Sequence, residues 1–417
     1  MTAITYRDTS WTYRDTRYTY RGEEPPTQPV GITEVAVANN PGDTTFTWID
    51  ISDRVESFSW SRGRQSELDL FQAGTATINL NNNDRRFDPL YVDGPYFGYL
   101  LPMKPVRLSA RWDGVTYPIF QGFVESWPQR YGNAGLSTTV PLQCADLFKS
   151  LALLRLNGTY SSSASGARLA ALLDVLGWSA TNRDLDTGQS TVQSQDLTGT
   201  YALAHLQTVN ASENGFTFVD RGGKPTFIDR HAIIFAAQTG LTWGDDPTAD
   251  ELPYNSLSLA PDDWNLWNEI TVTAPSLADQ TATNAASVSK YFTRSTARPT
   301  VLSTTSEMSD LAHFLLGRLS EPQQRVVGMQ VDLIDTSTVP YVLGREIADK
   351  VTVIRRPAGG GDPIEQDSII EAISGSASRQ GGWQISFNLS PADAVDNYWI
   401  LGDSEQSLLG VSTVLGY

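Results

Sequence analysis

The sequence predicts a mainly β protein with an α+β middle, in which two related β-barrel domains flank an inserted mixed domain. Three observations predict it. Residues 57–127 are a run of short alternating strands joined by turn residues. Residues 149–325 change to helical spacing mixed with strands. Residues 326–393 return to alternation and repeat the order of features that closes the first β region. At 417 residues the chain exceeds one ordinary core, so several domains are expected. They divide as an N-terminal arm with a Pro-rich linker (1–44), a first barrel (45–148), an inserted α+β region (149–325), a second barrel (326–395) and a C-terminal tail segment (396–417).

The arm carries a short repeat. Thr5-Tyr6-Arg7-Asp8-Thr9 returns as Thr12-Tyr13-Arg14-Asp15-Thr16 and decays at Thr19-Tyr20-Arg21. Tyr therefore recurs with an odd period, which flips faces in a flat strand. A heptad helix is disfavoured, because Thr, Tyr and Asp are poor helix formers. Two readings stay open: an extended arm with Tyr anchors, or a frayed terminus. On the first, Tyr6, Arg7, Tyr13, Arg14, Tyr20 and Arg21 are candidate interface residues, since Tyr and Arg favour interfaces. Glu23 to Pro29 reads as the linker.

In the first β region, Ala76, Ile78 and Leu80 alternate with Thr75, Thr77 and Asn79. Val106, Leu108, Ala110 and Trp112 alternate likewise, and Asp113-Gly114 marks a two-residue hairpin that sets Trp112 opposite Val115. Pro118 cannot donate to a ladder, so its strand lies at an edge or carries a bulge. In the middle, Leu169, Leu172, Leu173 and Leu176 have helical spacing and Gly177 marks the stop. A second helix is expected over Tyr201 to Glu213, ending near Gly215. A hairpin follows over Arg221 to Lys224. A third helix begins near Ser306 and presents Leu311, Phe314, Leu315 and Leu319. Pro275 to Thr300 is polar and reads as containing a long loop. In the last β region Val327, Met329, Val331 and Leu333 alternate, as do Trp383, Ile385, Phe387 and Leu389.

The two β regions echo each other. Phe123-Val124-Glu125-Ser126 corresponds to Ile369-Ile370-Glu371-Ala372, each followed by a Gly-containing turn and a strand. Those strands end in Leu142-Gln143-Cys144-Ala145-Asp146 and Leu389-Ser390-Pro391-Ala392-Asp393, which share Leu-x-x-Ala-Asp. Three subunits with two similar barrels each can make a closed ring of six near-equivalent positions, using heterologous contacts whose rotation closes.

Composition excludes several function classes. Net charge is −17, so the basic footprint of a nucleic-acid grip is missing. A neutral or acidic channel wall still suits DNA as passing cargo. Cys144 is the single cysteine, on an apolar strand face, and reads as a buried thiol. No apolar run is long enough to span a bilayer and the amino terminus shows no signal peptide, so folding in a cytoplasm without stable membrane insertion is expected.

His205, His231 and His313 are far apart, and no zinc spacing exists. Asp184-Leu185-Asp186 lacks the Gly and Glu of a calcium loop. Gly359-Gly360-Gly361-Asp362 lacks the Lys-Ser/Thr of a phosphate loop. The pairs Asp245-Asp246 and Asp262-Asp263 would need a fixed separation across a cleft to act as glycosidase acids. Trp60, Trp112, Trp127 and Trp383 sit in strand patterns, as core residues do. No catalytic, metal or cofactor site is expected, and the protein is read as a non-enzyme.

SWSRGRQSELDLFQAGTATINLNNNDRRFDP with PYFGYLLPMKPVRLSARWDGVTYPIFQGFVESW resembles the opening barrel of minor tail proteins of long-tailed phages. The resemblance continues through LQTVNASENGFTFVDRGGKPTFIDR, WNEITVT and LGREIADKVTVI, and through the closing residues from Tyr398 to Tyr417. It implies a central tail hub: a homotrimeric virion protein at the tail tip, assembled in the host cytoplasm. Such a hub closes the tube, contacts distal tail, tape-measure and receptor-binding proteins, and opens for DNA. Many hubs continue into a spike, fibre or hydrolase, and here that effector is expected on a separate protein. The alternatives are a distal tail protein forming a hexameric ring, a tail-associated glycan or peptidoglycan hydrolase, and a carbohydrate-binding adhesin.

Overall fold

The computed structural model describes residues 28–392 except 133, 135, 136, 237–239, 247, 248, 262–264, 323, 334, 335, 380 and 381. The first β module contains β1 (Val30–Val35), β2 (Ile49–Asp50), β3 (Val55–Gly63), β4 (Thr75–Asn81), β5 (Lys104–Trp112), β6 (Val115–Ser126), β7 (Arg130–Gly132) and β8 (Ser137–Ala145). Its ladder runs β3-β4-β8-β6-β5-β1-β2, with antiparallel pairs throughout. β1 lies in the stretch read as arm and linker.

Alternation is obeyed where expected. Ala76, Ile78 and Leu80 are buried, opposite Cys144, Leu142 and Val140. Asp113 and Gly114 both have positive φ, 45° and 77°, which is the type I′ geometry that matches strand twist. Leu108 pairs with Phe120 and Ser109 with Pro118, so Ile119 is an extra residue: the bulge anticipated at Pro118. β8 pairs with β6 only from Phe123 onward, so no ladder partner on that side asks Pro118 for a donor.

The middle begins with α1 (Leu147–Leu153), β9 (Thr159–Tyr160), β10 (Ser163–Ala164), α2 (Ser165–Leu176), β11 (Asp184–Leu185), β12 (Thr191–Val192), β13 (Gln195–Asp196) and α3 (Ala202–Glu213). Helix α2 buries Leu169, Leu172 and Leu173 and stops at Gly177. Helix α3 stops at Asn214, a left-handed residue one position before the expected glycine. The predicted hairpin is β14 (Phe216–Val219) with β15 (Pro225–Ile228). There follow α4 (Arg230–Ile234), β16 (Thr242–Gly244), β17 (Leu252–Pro253), β18 (Ser256–Pro261), β19 (Glu269–Thr273), β20 (Gln280–Thr283), α5 (Ala285–Tyr291), β21 (Ser295–Pro299) and α6 (Thr305–Leu319).

The long loop expected over Pro275 to Thr300 is not there. β20 and β21 flank β19, and α6 packs on this three-stranded sheet around Ile270, Val272, Met308, Leu311 and Leu315. β20 buries only Ala282 and α5 only Ser287. That is too little apolar periodicity to register in sequence.

The second module is β22 (Gln324–Asp332), α7 (Val339–Leu343), β23 (Lys350–Arg355), β24 (Ile364–Ser378) and β25 (Gly382–Pro391), completed by β16, β17 and β18 from the middle stretch. β22 departs from simple alternation. Ser258 pairs with Gly328 and Leu259 with Val326, so Val327 is a bulge residue and Val326 is buried in its place. β24 pairs with β3 as well as with β23 and β25, which joins both modules into one sheet of 15 strands. Among the described residues the ladders follow open paths rather than closed rings. One apolar core is continuous through both modules and α1 to α3.

Candidate assembly interface

The strand path β3-β4-β8-β6-β5 of the first module recurs as β18-β22-β25-β24-β23 in the second. The registers agree in detail. Val124 pairs with Cys144 and Ser126 with Gln143, leaving Glu125 as a bulge. Ile370 pairs with Leu389 and Ala372 with Asn388, leaving Glu371 as the same bulge. Beyond β4, Asn82 N–H donates to Thr138 O (2.8 Å); beyond β22, Leu333 N–H donates to Trp383 O (3.0 Å). Before β5, Met103 N–H donates to Val124 O (2.7 Å); before β23, Ala348 N–H donates to Ile370 O (2.8 Å). Met103 and Ala348 share a positive φ, 63° and 75°. One half of the sequence echo is therefore in register, Glu125 with Glu371. The shared Leu-x-x-Ala-Asp is two residues out of step, because Cys144, not Leu142, matches Leu389. Asp393 lies outside the described residues.

The modules meet where β24 lies along β3, from Ala372 opposite Gly63 to Ser378 opposite Ser57. Gly63 has φ +105°, and a Cβ there would stand 2.2 Å from Glu371 O, so only glycine fits. Arg64 N–H donates to Glu371 O (3.0 Å). Its guanidinium donates to the Glu371 carboxylate (2.6 Å), which also accepts from Ser390 Oγ (2.6 Å). The Glu371 side chain is 1% exposed and that of Arg64 6%. The guanidinium also lies 4.6 Å from the ring centres of Phe71 and Phe216. Above the pair, Phe58 and Trp60 pack against Trp383, at 5.4 and 6.1 Å between centroids. Trp383 Nε1–H donates to Pro29 O (2.8 Å), which fastens the chain entering β1.

Further ion pairs tie the middle region to this join. Glu67 accepts from Arg318 on α6 (2.9 Å) and Arg325 on β22 (2.8 Å). Burial pushes the Glu67 carboxyl up, but the two guanidiniums outweigh it and hold the group below its ordinary value. Arg62 donates to Glu346 (2.8 Å) and to Val219 O (3.2 Å). A cavity of about 60 Å³ beside Arg64, Glu67, Arg318, Lys350 and Glu371 is lined by groups that bond one another or nearby backbone. It reads as part of the joint.

The candidate residues Tyr6, Arg7, Tyr13, Arg14, Tyr20 and Arg21 lie outside the described residues. His205 is buried against Arg168, with Nε2 3.1 Å from Nη1; burial and then the guanidinium press its pKa down to about 4. His313 is exposed and bonds Ser309 O, while His231 packs on Phe235. The described residues hold no group of three or more His, Cys, Asp or Glu able to bind a metal. Cys144 is a buried thiol whose pKa burial raises. Asp186 accepts from Asp229 N–H (3.0 Å), and Asp245 bonds Arg355 and Arg356; Asp262 and Asp263 lie outside the described residues. Trp60, Trp127 and Trp383 are buried and Trp112 half-buried.

Sequence reasoning missed a surface feature, the connection from Asn82 to Met103. Leu90, Val92, Phe97, Tyr99 and Leu101 are exposed along it, Leu90 by 83%. Beneath them Phe87 stacks on Tyr96 (5.7 Å) and Trp127 (6.1 Å). Asn82 Nδ2 donates to Gln129 (2.8 Å), whose Nε2 donates to Phe87 O (2.7 Å). Apolar side chains are thus held outward on a fixed base. The signal was present: a stretch of turn residues carrying many large apolar ones.

The structure is similar to a tail protein from Neisseria meningitidis MC58, with a TM-score of 0.56 and 13% identity over 87% of this chain and 96% of that one. It is similar to the 43 kDa tail protein of prophage MuSo2 from Shewanella oneidensis, with a TM-score of 0.54 and 13% identity over 88% and 98%. The fold is that of these tail proteins. At such identity the likeness is one of fold. No family model matches the chain, and no curated protein matches it in sequence.

Proposed function

We propose that this chain is a structural protein of a phage tail, the central hub at the tail tip, whose copies form a homotrimeric ring. One observation carries the reading: a duplicated β module, joined edge to edge inside one chain, on a fold shared with tail proteins. A join that works between two modules of one chain can recur between chains, and three copies supply six modules for a closed ring. The ring closes the tube, meets distal tail, tape-measure and receptor-binding proteins, and opens for DNA. The net charge of −17 supports a channel that repels DNA rather than grips it. The outward apolar residues from Leu90 to Leu101 offer a fixed surface for such neighbours. The work is assembly rather than bond-breaking, and its place is the virion.

Light scattering on the purified full chain tests this. The expected mass is that of three copies. Six copies would instead favour a distal tail ring, and a monomer at every concentration would remove the ring. Deleting residues 1–27 tests the arm: weaker self-association with unchanged thermal unfolding is expected, whereas full incorporation into tails would argue against an interface role.

A further inference from the structure

Each module places one strand edge where the other finds its partner, and two such edges are left over. β3 has β4 on one side and β24 on the other, whereas its counterpart β18 has only β22 among the described residues. The part of β24 that receives β3 corresponds to residues 126–132 of the first module, and there, among the described residues, β7 pairs with β8 alone. Open edges of this kind attract another strand unless covered.

The counterpart positions follow from the ladders. Ser57, Phe58 and Ser59 pair with Asn79, Ile78 and Thr77, as Ser256, Leu257 and Ser258 pair with Gln330, Met329 and Gly328. Arg130, Tyr131 and Gly132 pair with Thr139, Thr138 and Ser137, as Ser376, Ala377 and Ser378 pair with Gln384, Trp383 and Gly382. Within the chain, Ser376, Ala377 and Ser378 stand opposite Ser59, Phe58 and Ser57.

We propose that β7 of one copy pairs antiparallel with β18 of the next, with Arg130 opposite Ser258, Tyr131 opposite Leu257 and Gly132 opposite Ser256. This rests on the ring reading above and specifies its seam. Arg130, Tyr131, Gly132, Ser256 and Ser258 are exposed, Tyr131 by 67%, and Leu257 is half-buried. The pairing sets Tyr131 against Leu257 where the internal join sets Ala377 against Phe58, so each seam has one aromatic ring against an aliphatic neighbour. Short exposed edges, left without a second neighbour among the described residues, thereby acquire one.

Cysteine pairs in the full chain test the register. Opposed residues in an antiparallel ladder have Cα atoms about 4.5–5.5 Å apart, within disulfide range. Cys144 is buried and stays silent. Under mild oxidation, Arg130→Cys with Ser258→Cys should give intermolecular disulfides at least about tenfold above either single variant. Tyr131→Cys with Leu257→Cys should do the same. Arg130→Cys with Leu257→Cys, one residue out of register and so on opposite faces, should not. An oligomer of the expected mass with no disulfide in either matched pair would overturn this seam and leave the ring standing. A monomer throughout would overturn both, and an intramolecular disulfide would overturn the seam.

Discussion

Glu125 and Glu371 occupy the same bulge in two copies of one module, and they live in different worlds. Glu125 is on the surface with Lys149 as its partner. Glu371 is buried, held by Arg64 and Ser390 at the seam between modules. The bulge itself is a backbone property: it turns one side chain aside from the alternation and bends the strand. What the side chain then does depends on whether another sheet arrives. In the second module β3 arrives, carrying Gly63 for close approach and Arg64 for charge. The duplicated fold therefore carries a conserved geometry and two local chemistries, one closed by its own chain and one still open.

The largest expected effect separates these two sites. Removing Arg64 leaves Glu371 as a buried, unpaired carboxylate. Arg64→Ala should cost about 3–5 kcal/mol of unfolding free energy in denaturant titration. Lys149→Ala at the exposed counterpart should cost less than about 1 kcal/mol. Equal losses would mean that the bulge, rather than the seam, sets the energetics.

A smaller difference is expected one strand over. Trp383 and Thr138 are counterparts on β25 and β8. Only Trp383 reaches the seam, where Nε1–H satisfies Pro29 O. Trp383→Phe keeps most of the ring contact but loses that donor, so a cost of about 1–3 kcal/mol is expected. Thr138→Val should stay within about 0.5 kcal/mol. Exchange of the amide protons of β1 should also quicken in the Trp383 variant alone, since Pro29 precedes that strand.

Much of this was legible in the sequence, and the failures have physical causes. Strands with one buried face announced themselves, as with Ala76, Ile78 and Leu80. The Asp113-Gly114 turn and the Pro118 bulge followed from backbone chemistry alone. β20 and α5 did not, because each buries a single small residue, and α5 is held by hydrogen bonds such as Asn268 Nδ2 to Ser287 Oγ (3.3 Å). The recruitment of β16 to β18 into the second sheet was hidden because pairing partners distant in sequence leave no local mark. The seam was half legible: the echo found Glu371, but nothing in the order of residues says that Arg64 comes to meet it.

The last comparison concerns Asp146, which closes β8 where the second module has Pro391. Asp146 accepts N–H groups from Gly74 (2.6 Å) and Phe148 (2.9 Å) and caps α1. Burial pushes its pKa up to about 7, against the pull of these donors and of Arg62. The folded chain keeps a proton that the unfolded chain releases above 3.8, so between 3.8 and about 7 rising pH weakens the fold. His205 acts in the opposite sense. Its folded pKa of about 4 lies below the ordinary 6.5, so its contribution is present above 6.5 and is lost as pH falls toward 4. Where the two windows overlap these two contributions oppose and nearly cancel. Asp146→Asn removes one side of the balance, so across the overlap unfolding free energy should rise with pH relative to the unaltered chain. His205→Leu removes the other, and by the same comparison it should fall. Pro391→Ala, at the counterpart position, should leave the curve of the unaltered chain unchanged in shape. A tilt in that variant would mean that the two modules share their titration as well as their strand order.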